Sequence, residues 1–252
     1  MVRGLNHFKE YFREYSENFI LVGGVASYLL LSDVGASRVR PTKDLDIVLI
    51  LKPSETFLRA FKAYIVIGGY EIQKGGKGRV LFYRFQNPAN KNYPLMIELF
   101  SAAEFGLELT SEQYIIPVAQ IDGVQSLSAI LLDEEYYSLI RKNAVEREGI
   151  YILNVRGLIP FKAKAYLEIK GRGEDSKNWK KHRSDIINLA VTLLSKSSSE
   201  SLTGKVKEHF EEFMVQLETE LTPEIIQGAC HQSISKQEII DLLKKTFLGL
   251  SA

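Results

Sequence analysis

Hydrophobic positions in the first half of the chain alternate between helix-spaced segments and short unbroken runs. Residues 5–19 carry apolar side chains at helical spacing, Phe19-Ile20-Leu21-Val22 is a run of strand length, and residues 25–31 return to a helical pattern. A second apolar run covers residues 47–51. Ser54 then makes a good N-cap for a helix that sets Phe57, Phe61 and Tyr64 on one face. Residues 70–73 and 79–86 read as two strands around Lys74-Gly75-Gly76-Lys77-Gly78, a turn-rich hairpin. The rival reading of that turn is a phosphate loop, which is disfavoured because it joins strands and opens no helix. Residues 94–100 predict one more strand.

From Ser126 onward helical periods dominate. Residues 133–147 predict a helix and residues 150–153 a short strand. Residues 158–167 predict a helix with Pro160 in its first turn, and 171–176 form a polar linker. Ile186, Ile187, Leu189, Ala190, Leu193 and Leu194 mark the next helix, and 195–201 a loop. Two further amphipathic helices carry Val206, Phe210, Phe213, Met214 and Leu217, and then Ile239, Ile240, Leu243 and Phe247. The pattern predicts an α/β (α+β) chain in two domains, 1–125 and a mainly helical 126–252.

Chemistry enters where charge interrupts this pattern. Asp44-Leu45-Asp46 leads into the second apolar run, and strand alternation puts the two carboxylates on one face about 7 Å apart. That spacing suits carboxylates sharing Mg²⁺, a hard ion that takes oxygen ligands and is usually completed by substrate phosphates. Gly23-Gly24 lies between an apolar run and a helix, where backbone N–H groups favour anions. Taken singly, each motif also reads as an ordinary turn or a solvated edge strand. Glu98 is the one charge in the apolar strand 94–100, and it needs either a compensating partner or an edge position facing water. As a metal ligand it would be the third carboxylate of the site that Asp44 and Asp46 begin.

Composition narrows the class. The chain has 252 residues, 45% hydrophobic and 25% charged, with a net charge of +1, so no whole-surface attraction to nucleic acid is expected. A local basic cluster stands out: residues 162–183 hold eight Lys or Arg and three Asp or Glu. Usually such a run is a solvated helix face, but it also suits phosphate-rich ligands. One cysteine, Cys230, forms no intramolecular disulfide, and His7, His182, His209 and His231 are too scattered for a zinc site. With no signal-like apolar core in residues 1–18 and no run near 20 apolar residues, a cytoplasmic protein without a membrane span is expected.

Together these residues resemble the nucleotidyltransferase superfamily of the DNA polymerase β type, and within it the AbiEii/AbiGii toxin-like group. The shared pattern is a hydrophobic residue before Gly-Gly, a helix, then Arg40, Thr42, Asp44 and Asp46, with Glu98 as the third acid. Lys162-Ala163-Lys164-Ala165 and Asp185 match the group's lysine helix and later aspartate, the functional lysine being open between Lys162 and Lys164. Gly24 stands where many relatives have serine. The resemblance implies a mixed sheet flanked by helices, with a helical C-terminal domain completing the nucleotide cleft. It implies an enzyme that moves NMP from an NTP to an acceptor, with Asp44, Asp46 and Glu98 holding Mg²⁺. Gly23, Gly24, Arg40, Thr42 and Lys162 would contact the nucleotide, and Asp185 would orient the lysine or the base-ribose end. The implied acceptor is RNA such as a tRNA 3′ end, with a cognate antitoxin as a further partner. Small-molecule or protein acceptors, or a non-catalytic nucleotide- or partner-binding protein, are the alternatives.

Overall fold

The computed structural model describes residues 2–50, 53–74, 80–102, 115–121, 124–195 and 197–250. The hairpin turn expected at 74–78 lies outside them from residue 75 on. The chain divides into two compact units, one of residues 1–26 and 41–153, the other of residues 27–40 and 154–252.

The first unit opens with α1 (Leu5–Tyr11), a 3-10 helix (Arg13–Asn18), β1 (Phe19–Val22) and the start of α2 (Gly23–Asp33). The single helix expected over 5–19 is therefore two short ones, because Phe12 leaves helical geometry as the C-cap of α1. Next come β2 (Asp44–Leu49), α3 (Glu55–Gly68), β3 (Glu71–Lys74), β4 (Val80–Gln86) and β5 (Met96–Ala102). After them follow β6 (Ile115–Ile121), β7 (Val124–Leu132), α4 (Glu134–Lys142), β8 (Ala144–Arg147) and β9 (Ile150–Leu153). As expected, Ser54 caps α3, its hydroxyl accepting from the Phe57 N–H.

These strands form one mixed sheet in the order β3-β4-β5-β2-β1-β9-β8, with the β6–β7 hairpin attached through β7 to β5. β2 runs parallel to β5 and antiparallel to β1. The first unit runs on past residue 125 because β9 pairs with β1 through Leu21 and Ile152. The helix expected over 133–147 stops at Asn143. The residues beyond it turn into β8, since Glu148 and Gly149 both take positive φ and close a two-residue hairpin between Arg147 and Ile150.

One layer of aromatic rings supports the sheet. Phe12 is fully buried, with ring centroids 4.5 Å from Phe8, 5.0 Å from Tyr64, 5.8 Å from both Phe57 and Phe61, and 6.1 Å from Phe19. The helix face predicted from Phe57, Phe61 and Tyr64 is the one that meets it.

The second unit holds the rest of α2 and five helices: α5 (Val155–Gly171), α6 (Ser176–Leu193), α7 (Gly204–Glu220), α8 (Pro223–Cys230) and α9 (Lys236–Leu248). α5 starts three residues before the predicted one, capped by Asn154, whose side chain accepts from the Arg156 and Gly157 N–H groups. Pro160 therefore lies inside the helix and not in its first turn. Tyr166, Phe210, Phe213 and Phe247 pack the core of this unit. No helix among the described residues is long and apolar enough to cross a membrane.

The aromatic layer packs around Phe12. Phe12→Ala is expected to destabilise the protein by about 3–5 kcal/mol, measured by urea denaturation.

Candidate functional site

Strand parity builds the acidic face. Along β2, Leu45 and Ile47 are buried while Asp44 and Asp46 are half-exposed on the other face. Along β5, Ile97 and Leu99 are buried and Glu98 lies on the other face with 12% of its side chain exposed. Asp46 and Glu98 are register partners on parallel neighbours, about 4.8 Å apart between strands, and Asp44 stands on the same face one pleat away, beside Met96. The three carboxylates thus share one side of the sheet.

Their side chains are not gathered into a cage. Among the described residues, no group of three His, Cys, Asp or Glu side chains is arranged to hold a metal ion. Glu98 is instead ion-paired with Arg84, its register partner on β4, which approaches Glu98 Oε1 through Nε and Nη2. Arg84 escaped the sequence reading because its only signal is a cation within a strand, and the partner depends on a register set across intervening loops.

The glycines abut the acids directly. Gly23 opens α2 at φ +62°, a left-handed conformation favouring glycine, and a Cβ there would lie 2.0 Å from Asp46 Oδ2. At Gly24 a Cβ would meet Thr42 Oγ1 at 2.7 Å, so Thr42 fills the room that a serine at position 24 would need. The Thr42 hydroxyl also accepts from the Asp44 N–H at 3.4 Å, bracing the entry to β2.

In the second unit a carboxylate organises two cations. Lys162 Nζ donates to Asp185 Oδ2 at 2.7 Å, while Arg40 donates through Nε to Oδ1 at 3.0 Å and through Nη2 to Oδ2 at 2.7 Å. Lys162 has only 2% of its side chain exposed and Arg40 has 44%. Burial alone would push the Asp185 carboxyl up, but Lys162 and Arg40 outweigh it and hold the group well below the usual carboxylate range. Segment 38–40 is tied to α6 a second time, by Asn188 Nδ2 donating to the Arg38 carbonyl at 2.8 Å. Lys164, one turn fragment on from Lys162, lies 3.6 Å from Glu168, so it is Lys162 that Asp185 engages.

His182 borders this group with its Nδ1 buried and lacking a hydrogen-bond partner. Burial pushes its pKa down to about 3, Lys162, Lys181 and Arg40 repel its charged form, and Asp185 partly offsets them. The imidazole is therefore neutral at pH 7. A further network joins α5, α6 and α7 and has no sequence signal: Glu220 accepts from Tyr166 Oη at 2.8 Å and from Lys170 Nζ at 2.6 Å, and is ion-paired with Arg183.

No family model and no curated protein matches the sequence. Several solved structures are similar to the chain. The Megavirus polyadenylate synthase is 10% identical, with 86% of this chain covered and a TM-score of 0.37; this chain spans 36% of that protein. A Helicobacter pylori protein provisionally assigned as a nucleotidyltransferase is 15% identical, over 95% of this chain and 91% of that one, at a TM-score of 0.31. JHP933 from Helicobacter pylori is 15% identical over 95% and 88%, at 0.30. These likenesses are remote.

Two outcomes follow from the buried charges. Asp185→Asn leaves Lys162 buried without its counter-charge and should cost about 3–5 kcal/mol in a urea unfolding titration. His182 binds its proton more weakly folded than unfolded, so stability falls as pH drops below about 6.5 and continues falling toward the folded value. His182→Gln should flatten the urea midpoint between about pH 6.5 and 5, above the range in which Asp185 and Glu220 add their own acid loss.

Proposed function

We propose that the chain is a Mg²⁺-dependent nucleotidyltransferase that moves NMP from an NTP to an RNA acceptor, such as a tRNA 3′ end. The observation that carries this reading is the register pair Asp46 and Glu98, with Asp44 on the same face and the Gly23 backbone pressed against Asp46. Three carboxylates on one side of a sheet offer the oxygen ligands that a hard divalent cation takes, and closing on one ion would require their side chains to converge.

In this reading Asp44, Asp46 and Glu98 would hold the metal, and Mg²⁺ bound there would neutralise charge on the triphosphate and on the leaving pyrophosphate. Gly23 and Gly24 present backbone N–H groups to phosphate. An acceptor hydroxyl oxygen forms a bond to the α-phosphorus, the bond to the bridging oxygen of the β-phosphate breaks, and the hydroxyl proton passes to the Glu98 carboxylate. Asp185 acts as a positioning residue for Lys162 and Arg40, the cations that the family resemblance assigns to phosphate. A toxin-like role with a cognate antitoxin belongs to the same reading and rests on that resemblance, with the basic cluster of residues 162–183 as its support for a polyanionic acceptor.

One observation favours a second reading, a nucleotide-binding protein without transfer activity: Arg84 occupies the Glu98 carboxylate. The two separate in one assay. With each labelled NTP in turn, Mg²⁺ and total tRNA, label should enter RNA, and Asp44→Ala, Asp46→Ala or Glu98→Ala should each lower the rate on the order of a hundredfold. Label confined to small hydroxylated compounds would replace the acceptor. NTP binding with no transfer to any acceptor would establish the second reading.

A further inference from the structure

Two lysines near the start of α6 carry charge that the fold does not use. Lys177 and Lys181 are exposed and stand one turn apart, about 6 Å along the axis and about 40° around it. The like-charge pair destabilises the helix, and Lys177, in the first turn, also opposes the helix dipole. Neither lysine is drawn into an ion pair among the described residues, unlike Lys162, Lys164 and Lys170.

The row continues into a third cation. Asp185 follows Lys181 by another four residues, and Arg40 is bound to it through Nε and Nη2 with 44% of its own side chain exposed. Asn188, on the same side of the helix, donates to the Arg38 carbonyl and so fixes the segment that carries Arg40. Buried Lys162 already balances Asp185, so Arg40 adds net positive charge to the row. Over residues 177–188 this side of α6 otherwise holds only Ser184 and Asn188, while Trp179 stands on the opposite side.

We propose that Lys177, Lys181 and Arg40 form a track for the phosphates of a base-paired RNA stem, bound by charge without reading of the bases. Cations repeated at one-turn spacing match a ligand whose own charge repeats. An all-polar face offers no ring for an open base to stack on, which disfavours a single strand. A paired stem hides its base faces and is bound through its phosphates and 2′-hydroxyls. A lipid surface would need apolar side chains to insert, and this face has none. The inference deepens the function proposed above by naming residues that grip the acceptor, and it rests on that function for the choice of RNA over a carboxylate polymer.

A fluorescently labelled RNA hairpin of about 12 base pairs is titrated with the full chain and followed by anisotropy, without NTP or Mg²⁺. Lys177→Gln combined with Lys181→Gln should weaken binding about tenfold at low salt and lower the slope of log K against log salt by about two. Lys and Gln have similar helix propensity, so the double variant keeps α6, which an unchanged urea midpoint verifies. Lys177→Arg combined with Lys181→Arg should retain the native affinity and slope. The same charge removed from two exposed lysines of α9, by Lys236→Gln with Lys245→Gln, should leave the slope within about half a unit of the native value. An equal loss in the α9 variant would overturn the proposal by reducing the track to net charge. Undiminished binding in the α6 Gln variant would overturn it too, as would equally tight binding of polyglutamate or tighter binding of an unpaired strand. Hairpin binding that depends on Lys177 and Lys181, in a chain that transfers no NMP, would keep the track and remove the enzymatic function. Transfer to tRNA with an unchanged KM for tRNA in the α6 Gln variant would keep the enzyme and remove the track.

Discussion

The register between β2 and β5 is the constraint on which the rest of the first unit depends. A strand has two faces, and a slip of one residue would exchange them. Leu45 and Ile47, with Ile97 and Leu99, need the covered side, and that demand alone turns Asp44, Asp46 and Glu98 together to the other side. The acidic face is therefore locked by hydrophobic burial on the opposite face. Any variant that preserved the carboxylates but moved the apolar positions by one would scatter them.

The second unit solves a harder electrostatic problem. Lys162 is buried almost completely, and an ammonium group there is tolerable only because Asp185 meets it and is itself held ionised by Arg40. The arrangement leaves one positive charge in excess, and that excess, together with burial, keeps His182 neutral. Charge in this unit is thus graded: a deep lysine, a carboxylate between, and an arginine reaching solvent. Glu220 repeats the motif with Lys170 and Arg183, and there the ordered cations steady an aromatic ring.

Much of this was legible in the sequence, and what was missed has particular causes. Period-two alternation and one acid in an apolar run exposed Asp44, Asp46 and Glu98, and paired glycines before a helix exposed the turn at Gly23. Lys162 and Asp185 came from family pattern, and no spacing rule would have joined residues 23 positions apart on two helices. Arg84 was invisible because its meaning lies in a cross-strand register. The helix predicted over 133–147 overran because Ala144 to Arg147 carry no helix breaker of their own; it is the hairpin turn at Glu148 and Gly149, and pairing with β9, that claims them. α8 is only eight residues long, too short for a periodic signal, although Thr222 and Pro223 mark its start.

Arg84 gives the acidic face a counter-ion encoded in the chain. Three carboxylates on one side of a sheet repel one another, and the guanidinium paired with Glu98 relieves part of that repulsion. The polypeptide thus brings its own positive charge to the acidic face, and the strand register that places Glu98 also places the cation beside it.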